Sequence, residues 1–314
     1  MDLCMHGRTN FNLFGLEISA YGVLVGLGII AGMLIAIYLG KKRGFKSNDI
    51  LTMAIYTLPL AILGARLYYV IFYDQQFSFI EFFQIWNGGI AILGAVIGGA
   101  IGIAIYCLIH KKNLLNLTDI AAPSLILGQA IGRIGCYFGG CCFGIKTVNP
   151  ALQWFPFSVQ IDGVWHLSTF FYESFWCFLG FIALFYLFRK IKTKGVMTCL
   201  YFIIYGIGRF IIETWRDDSL FIADTGIKVS QLLSGILVLL GISGLIVLYF
   251  KNRLVQKEVA ETNEKKEFDK STSETAKSNE QKQSNQKENN KSEEKVTENK
   301  DEINNKNDKN KKTK

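Results

Sequence analysis

The sequence predicts an all-α polytopic membrane protein of about seven transmembrane helices, N-terminus outside and C-terminus cytoplasmic. Three observations predict it. Hydrophobic residues make up 50% of the 314-residue chain, and they are concentrated before about residue 250. Within that part, apolar windows of about 20 residues recur, the length needed to cross a bilayer as a helix. The cations between the windows alternate between abundant and sparse, as the positive-inside rule requires.

The windows fall near 19–40, 50–72, 88–109, 118–138, 167–188, 196–213 and 229–250. Lys41, Lys42, Arg43 and Lys46 follow the first, and Lys111 and Lys112 the third. Arg189, Lys190, Lys192 and Lys194 follow the fifth, and Lys251 and Arg253 the seventh. The alternate connections hold only Arg8, Lys146, Arg216 and Lys228. An odd number of spans agrees with this placement of both ends. The opening MDLCMHGRTN is polar and the first apolar run is longer than a signal-peptide core, so it reads as a span.

The connections on the sparse side carry aromatic residues. Residues 74–87 end in Trp86 and read as an interfacial segment. Residues 145–168 contain Trp154, Phe155, Phe157, Trp165 and His166. They are too polar to span and are expected to form a small outer cap. In the third span, Gly94, Gly98 and Gly99 make a small-residue face suited to close helix packing. Gly88 and Gly89 open that span, where exposed amides could meet a lipid headgroup.

Residues 1–250 are thus expected to form the membrane domain, and 251–314 a disordered, charged cytoplasmic tail. The tail holds about half of the 34 Lys and Arg, among nearly as many acids, with almost no large apolar side chains. Such a composition cannot bury enough surface to offset chain entropy. The net charge of +8 therefore gives no reason to expect a nucleic-acid partner.

Seven cysteines (Cys4, Cys107, Cys136, Cys141, Cys142, Cys177 and Cys199) are too scattered for a disulfide framework. Cys136, Cys141 and Cys142 leave three readings open: a metal site, a disulfide on the outer side, or soft packing in a tight turn. Paired CxxC spacing is absent, so packing is favoured and no metal is assigned.

The residues that carry chemistry are charges inside the spans. A guanidinium in hydrocarbon costs roughly 2.5–3.5 kcal/mol on insertion scales. Its planar fork suits a phosphate. Arg66, Arg133 and Arg209 all carry this cost, which points to an anionic headgroup held within the membrane. Arg133 lies in GRIGCYFGGCCFG, whose glycines, Gly144 among them, allow a sharp turn that could present amides to a phosphate. Tyr205, Arg209 and Glu213 are spaced four apart, so they share a helix face and the last two can pair.

These residues bring the chain close to a known family. It resembles the prolipoprotein diacylglyceryl transferases over nearly all of its first 250 residues. The resemblance runs through Tyr21-Gly22, the GARLYYV segment around Arg66, WNGG at Trp86 to Gly89 and GQAIGRIG at Gly128 to Gly135. It continues through Tyr172-Glu173, YGIGRFIIETWR at Tyr205 to Arg216, and Ser230-Gln231. It implies a multi-pass enzyme of the bacterial plasma membrane that needs no cofactor. Such an enzyme moves the diacylglyceryl group of phosphatidylglycerol onto the lipobox cysteine of a preprolipoprotein, releasing glycerol phosphate. Its partners would be phosphatidylglycerol, preprolipoprotein signal peptides and membrane lipids.

Carried onto this chain, the resemblance implies catalytic roles for Arg133, Arg209, Glu213 and Tyr21. Arg133 and Arg209 would hold the phosphate, Glu213 would hold Arg209, and Tyr21 and Tyr205 would donate hydrogen bonds. Tyr205, Gly144, Gly88, Gly89 and Arg66 would join Arg133 in binding substrate. Arg66 and Glu173 read as mainly architectural. The chain departs from the family at Cys136, usually Asn, at Cys141, often an acid, and at Leu93, commonly a histidine favoured as general base. Those departures leave the proton acceptor unassigned and keep a non-catalytic lipid-binding or transport paralogue as the alternative.

Overall fold

The structure, a computed structural model, describes residues 10–13, 16–73, 91–217, 228–254 and 256. Helices dominate it: α1 (Ala20–Lys42), α2 (Ser47–Tyr73), α3 (Ile92–Ile109), α4 (Leu114–Phe138), α5 (Thr169–Lys190), α6 (Val196–Glu213) and α7 (Val229–Leu254). Six of them are long and apolar enough to cross a membrane; α3 is the shorter apolar helix among them. Every span expected from the sequence has its helix. Large apolar side chains such as Leu27, Ile30 and Leu34 on α1 remain uncovered by protein, as a lipid-facing surface requires.

Met1–Leu248 form one compact unit and Tyr249–Lys314 a second, of which the structure describes only the end of α7. The interfacial segment expected at 74–87 lies outside the described residues, as do Gly88 and Gly89; of the tail expected at 251–314, residues 251–254 continue helix α7 rather than starting a disordered segment, and apart from Gln256 the rest lies outside the described residues.

Glycine sets the helix spacing. α2 packs on α3 where Gly64 faces Gly94: a Cβ on Gly94 would lie 2.1 Å from the Gly64 carbonyl oxygen. A Cβ on Gly98 would lie 2.1 Å from that of Leu60. On the other side of the bundle, α1 meets α4 at Gly28 and Gly128, and at Gly32 and Ser124. Lipid tails are as apolar as leucine, so such helices associate through close packing rather than hydrophobic burial. The packing use of the third-span glycines thus holds for Gly94 and Gly98.

The ends of the helices are tied to one another. Asp119 on α4, fully buried, accepts hydrogen bonds from the Gly195 amide at 2.7 Å, and from the Thr198 amide and hydroxyl at 3.0 Å each. It caps the first turn of α6 from a neighbouring helix, where Gly195 itself offers no side chain. Arg43, just past α1, donates to the carbonyls of Ile191 and Lys192 at the end of α5. It supplies the cation that a helix C-terminus favours.

Two short antiparallel hairpins interrupt the helical pattern. β1 (Asn10–Leu13) pairs with β2 (Leu16–Ser19), and β3 (Ser158–Ile161) with β4 (Val164–Leu167). The second hairpin turns at Asp162 (φ 49°) and Gly163 (φ 81°), left-handed positions suited to Asp-Gly.

Candidate active site

α4, α5, α6 and the segment leading into α7 converge on a chain of buried charges. Glu173, in the first turns of α5, places one carboxylate oxygen 2.8 Å from Arg133 Nη2 of α4 and the other 2.8 Å from Arg209 Nη1 of α6. Arg209 Nη2 reaches Glu213 at 2.9 Å, one turn further along α6, and lies 3.5 Å from the Ser230 hydroxyl. Arg216 stands 3.8 Å from the same Glu213 oxygen. Lys228 donates to the backbone carbonyls of Glu213 at 2.7 Å and Arg216 at 2.9 Å. The Glu173 and Glu213 side chains are 4% and 1% exposed, and both Arg133 and Arg209 are 13% exposed.

The sequence spacing anticipates the Arg209–Glu213 pair. Glu173 as the acid shared by Arg133 and Arg209 does not follow from spacing, because it stands 40 residues from the first and 36 from the second on a separate helix. Burying charge is costly unless it is paired and hydrogen-bonded. Five alternating charges in one line meet that condition and hold two guanidinium groups close together.

Tyr205 lies one turn before Arg209 on α6, within electrostatic reach of Glu173, Arg133 and Arg209. Its ring stacks on Tyr201, 5.8 Å away and tilted by 10°. Tyr201 in turn accepts from Gln129 Nε2 of α4 at 2.9 Å. Tyr21, at the start of α1, packs beside Gly135, where a Cβ would come 3.1 Å from its ring. Arg66 is buried in α2, its guanidinium 6.0 Å from the Tyr69 ring centre, on the helix pair α2–α3.

α4 ends at Phe138, and the chain turns through Gly139 and Gly140, the latter at φ 68°. The turn does not offer bare amides at its start. The amides of Gly139, Gly140 and Cys141 bond back to the carbonyls of Gly135, Tyr137 and Cys136. Gly144 has a different use. Its amide donates to the Leu167 carbonyl at 2.8 Å, and its own carbonyl accepts from His166 Nδ1 at 3.1 Å. A Cβ there would meet Leu167, Trp215 and Thr169 at 2.7–2.9 Å. Gly144 thereby stitches the loop after α4 to β4 and to the end of α6, beside Arg216.

The sulfur atoms of Cys136, Cys141 and Cys142 lie within 4.8 Å of one another. Cys141 is disulfide-bonded, whereas Cys107, Cys136, Cys177 and Cys199 are free thiols. The disulfide reading, set second to packing on the sequence, therefore holds for one of the three, and an oxidised Cys141 offers no thiolate to a metal. Cys142 Sγ lies 3.8 Å from Arg133 Nη1 and 3.6 Å from Cys141 Sγ.

Residues 8–247 match the family model described as prolipoprotein diacylglyceryl transferase. A protein of Streptococcus agalactiae named phosphatidylglycerol–prolipoprotein diacylglyceryl transferase is 43% identical over 224 residues, covering 68% of this chain and 86% of the relative. A Clostridium botulinum protein of the same name is 38% identical over 254 residues, covering 79% and 97%. By the extent of these matches, the chain belongs to the prolipoprotein diacylglyceryl transferase family.

Proposed function

We propose that this multi-pass membrane protein transfers the diacylglyceryl group of phosphatidylglycerol to the cysteine thiol of a prolipoprotein, forming a thioether. Family membership carries the reading. The acceptor cysteine would be presented by a signal peptide, with the membrane itself supplying the lipid.

The reaction breaks the bond between the diacylglyceryl carbon and a phosphate oxygen while sulfur attacks that carbon. Negative charge grows on the departing glycerol phosphate. Fixed cations in a site of low dielectric stabilise such charge better than water does, because they need no reorganisation. Arg133 and Arg209 suit that role: Glu173 holds both, so their spacing is set before substrate arrives. Glu213 and Ser230 fix Arg209 from its other side. Tyr205 and Tyr21 would donate hydrogen bonds to phosphate or ester oxygens, and Gly144 would keep the loop close to the arginines. Residues 145–168, with Trp154 and Phe155 more than half exposed, would cover the outer side.

The test is transfer in vitro. The purified full chain is mixed with phosphatidylglycerol and a lipobox peptide, and the peptide mass is read. A mass increase of one diacylglyceryl group on the cysteine is expected. A folded protein that leaves the peptide unmodified overturns the reading. Arg133→Ala should abolish the product while the protein still inserts in the membrane; full activity would remove Arg133 from the mechanism.

A further inference from the structure

The basic residues that close α1 and α5 are not all occupied by the protein itself. Lys112 pairs with Asp49 at 3.3 Å, and Arg43 donates to the carbonyls of Ile191 and Lys192. Lys42 in the last turn of α1, and Arg189 and Lys190 in the last turn of α5, have no carboxylate within ion-pair reach among the described residues. All three are exposed. Lys42 and Arg189 nevertheless gather on one side chain, Tyr38 of α1. Arg189 Nη2 donates to the Tyr38 hydroxyl at 3.2 Å, and Lys42 Nζ stands over the Tyr38 ring, 4.8 Å from its centre. Two like charges drawn to one neutral group repel each other, and an anion placed between them turns repulsion into attraction.

We propose that Tyr38, Lys42 and Arg189 form a binding site for the phosphate headgroup of an anionic phospholipid, at the opposite end of α5 from the charge line. The site goes beyond the transferase reading and does not depend on it. Arg189 follows Glu173 by 16 residues on α5, about 24 Å along the helix, so its lipid is not the one that faces Arg133 and Arg209. By the alternation of cations, this end is the one expected to face the cytoplasm. The platform is held from both helices. The Tyr38 ring stacks on Phe185 at 5.8 Å, tilted by 17°, and the Arg189 guanidinium lies 5.2 Å from the Phe185 ring centre. Arg43, 4.5 Å over the Phe188 ring, clamps the same two helix ends through its carbonyl contacts. The guanidinium fork suits two phosphate oxygens and the ammonium adds a point charge. The Tyr38 hydroxyl, while accepting from Arg189, keeps a proton to donate to the same phosphate.

The surroundings favour a lipid over a free anion. Leu34, four residues before Tyr38, is 62% exposed, and Ile182, seven before Arg189, is 49% exposed. These spacings keep each apolar residue on the helix face of the group it precedes. An uncovered apolar strip thus runs from the cations toward the middle of each span, where acyl chains lie. Tyrosine and basic side chains at a helix end are also the groups that sit at headgroup depth. Lys190, 4.6 Å over the Tyr186 ring, adjoins Arg189 and adds to the attraction that a basic membrane edge exerts on anionic lipid.

Photolabelling tests the site. The full chain is reconstituted in phosphatidylcholine vesicles holding a trace of phosphatidylglycerol with a diazirine in its acyl chain, then irradiated, and labelled peptides are read by mass. Label is expected on the second halves of α1 and α5. Lys42→Gln/Arg189→Gln should weaken it about thirtyfold, and Arg189→Gln alone about fivefold, the worth of two cations and of one at a membrane surface. The single variant decides the matter if the double one does not fold. Label near Arg133 in the same molecules should stay unchanged, which separates this site from the charge line. Lys41→Gln/Lys192→Gln removes two other exposed cations from the same end and should leave the label in place. Millimolar inorganic phosphate should not compete, and phosphatidylcholine carrying the same diazirine should not label these peptides in excess of others. Label that survives the loss of Lys42 and Arg189, or falls as far without Lys41 and Lys192, overturns the site. Equal labelling by phosphatidylcholine reduces it to ordinary lipid contact and overturns it too, and full competition by inorganic phosphate overturns the lipid as its occupant. A wild type that makes no thioether overturns the transferase reading and leaves this site standing.

Discussion

Glu173 and Arg209 meet at 2.8 Å, and the other oxygen of that carboxylate holds Arg133 at the same distance. One acid on α5 therefore sets the separation of two cations from different helices. Removing it as Glu173→Ala leaves two guanidiniums facing each other in a buried site. Breaking a buried pair costs about 3–5 kcal/mol, so a clear fall in thermal stability in detergent is expected. Glu173→Gln keeps the shape and loses the charge. It should fold better than the alanine variant yet lose at least about tenfold in thioether yield, the equivalent of about 1.4 kcal/mol in transition-state stabilisation. A glutamine variant with wild-type yield would show that Glu173 does not position the arginines for the reaction.

Gly144 should not accept a side chain. The added Cβ of Gly144→Ala would press on Leu167 Cβ at 2.7 Å, the Trp215 carbonyl at 2.8 Å and Thr169 Cγ2 at 2.9 Å. These three belong to β4, the end of α6 and the start of α5, which must stay together beside Arg216. Overpacking of this kind costs about 1–3 kcal/mol. The expected result is a lower melting temperature together with a loss of transfer activity, because the loop pairs with Arg216 at the end of the charge line. Unchanged melting and activity would mean that the loop relaxes freely.

The α2–α3 contact supplies its own control. Gly98→Ala puts a methyl 2.1 Å from a backbone oxygen, whereas Gly99→Ala finds its first neighbour at 3.7 Å, ordinary contact. Gly98→Ala should therefore destabilise the protein by at least about 1–3 kcal/mol, and Gly99→Ala by less than about 0.5 kcal/mol. Thermal denaturation of the two variants in the same detergent reads the difference. Equal melting temperatures would contradict the close approach.

Asp119→Ala removes three hydrogen bonds to the start of α6. A lost N-cap costs about 0.5–2 kcal/mol, and the buried amides of Gly195 and Thr198 are left without this acceptor. A lower melting temperature is expected, with the activity of each folded molecule unchanged, since Asp119 stands 14 residues before Arg133 on α4, about four helical turns or about 21 Å away. A selective loss of activity at unchanged stability would assign Asp119 to the site instead.

The spans were legible in the sequence because crossing a bilayer leaves one strong signal, a long apolar run. The Arg209–Glu213 pair was legible because four-residue spacing stacks side chains on one helix. The partner of Arg133 was not, since nothing in local spacing brings α5 against α4 at Glu173. The β3–β4 hairpin carries a readable mark: Asp162-Gly163 between short apolar stretches is a strong hairpin signal, although the aromatic residues of 145–168 point only to a small outer cap. Asp119 gave no such mark. An acid near the start of an apolar run resembles any helix-end charge until the fold brings Gly195 to it. Among the cysteines, spacing does not separate bonded Cys141 from free Cys136, five residues apart but different in chemistry.

Asp119 grips α6 at Thr198, and Arg209 follows eleven residues later on the same helix, about 16 Å along its axis. The anchorage of that arginine is thus set from the start of its own helix, three turns away. Inserting one alanine between Thr198 and Arg209 would swing the guanidinium about 100° around the helix and push it 1.5 Å deeper or shallower. Helix length here acts as a ruler: exchanging the uncovered apolar side chains of α6, such as Phe210 and Ile211, leaves that setting intact, whereas changing its residue count does not.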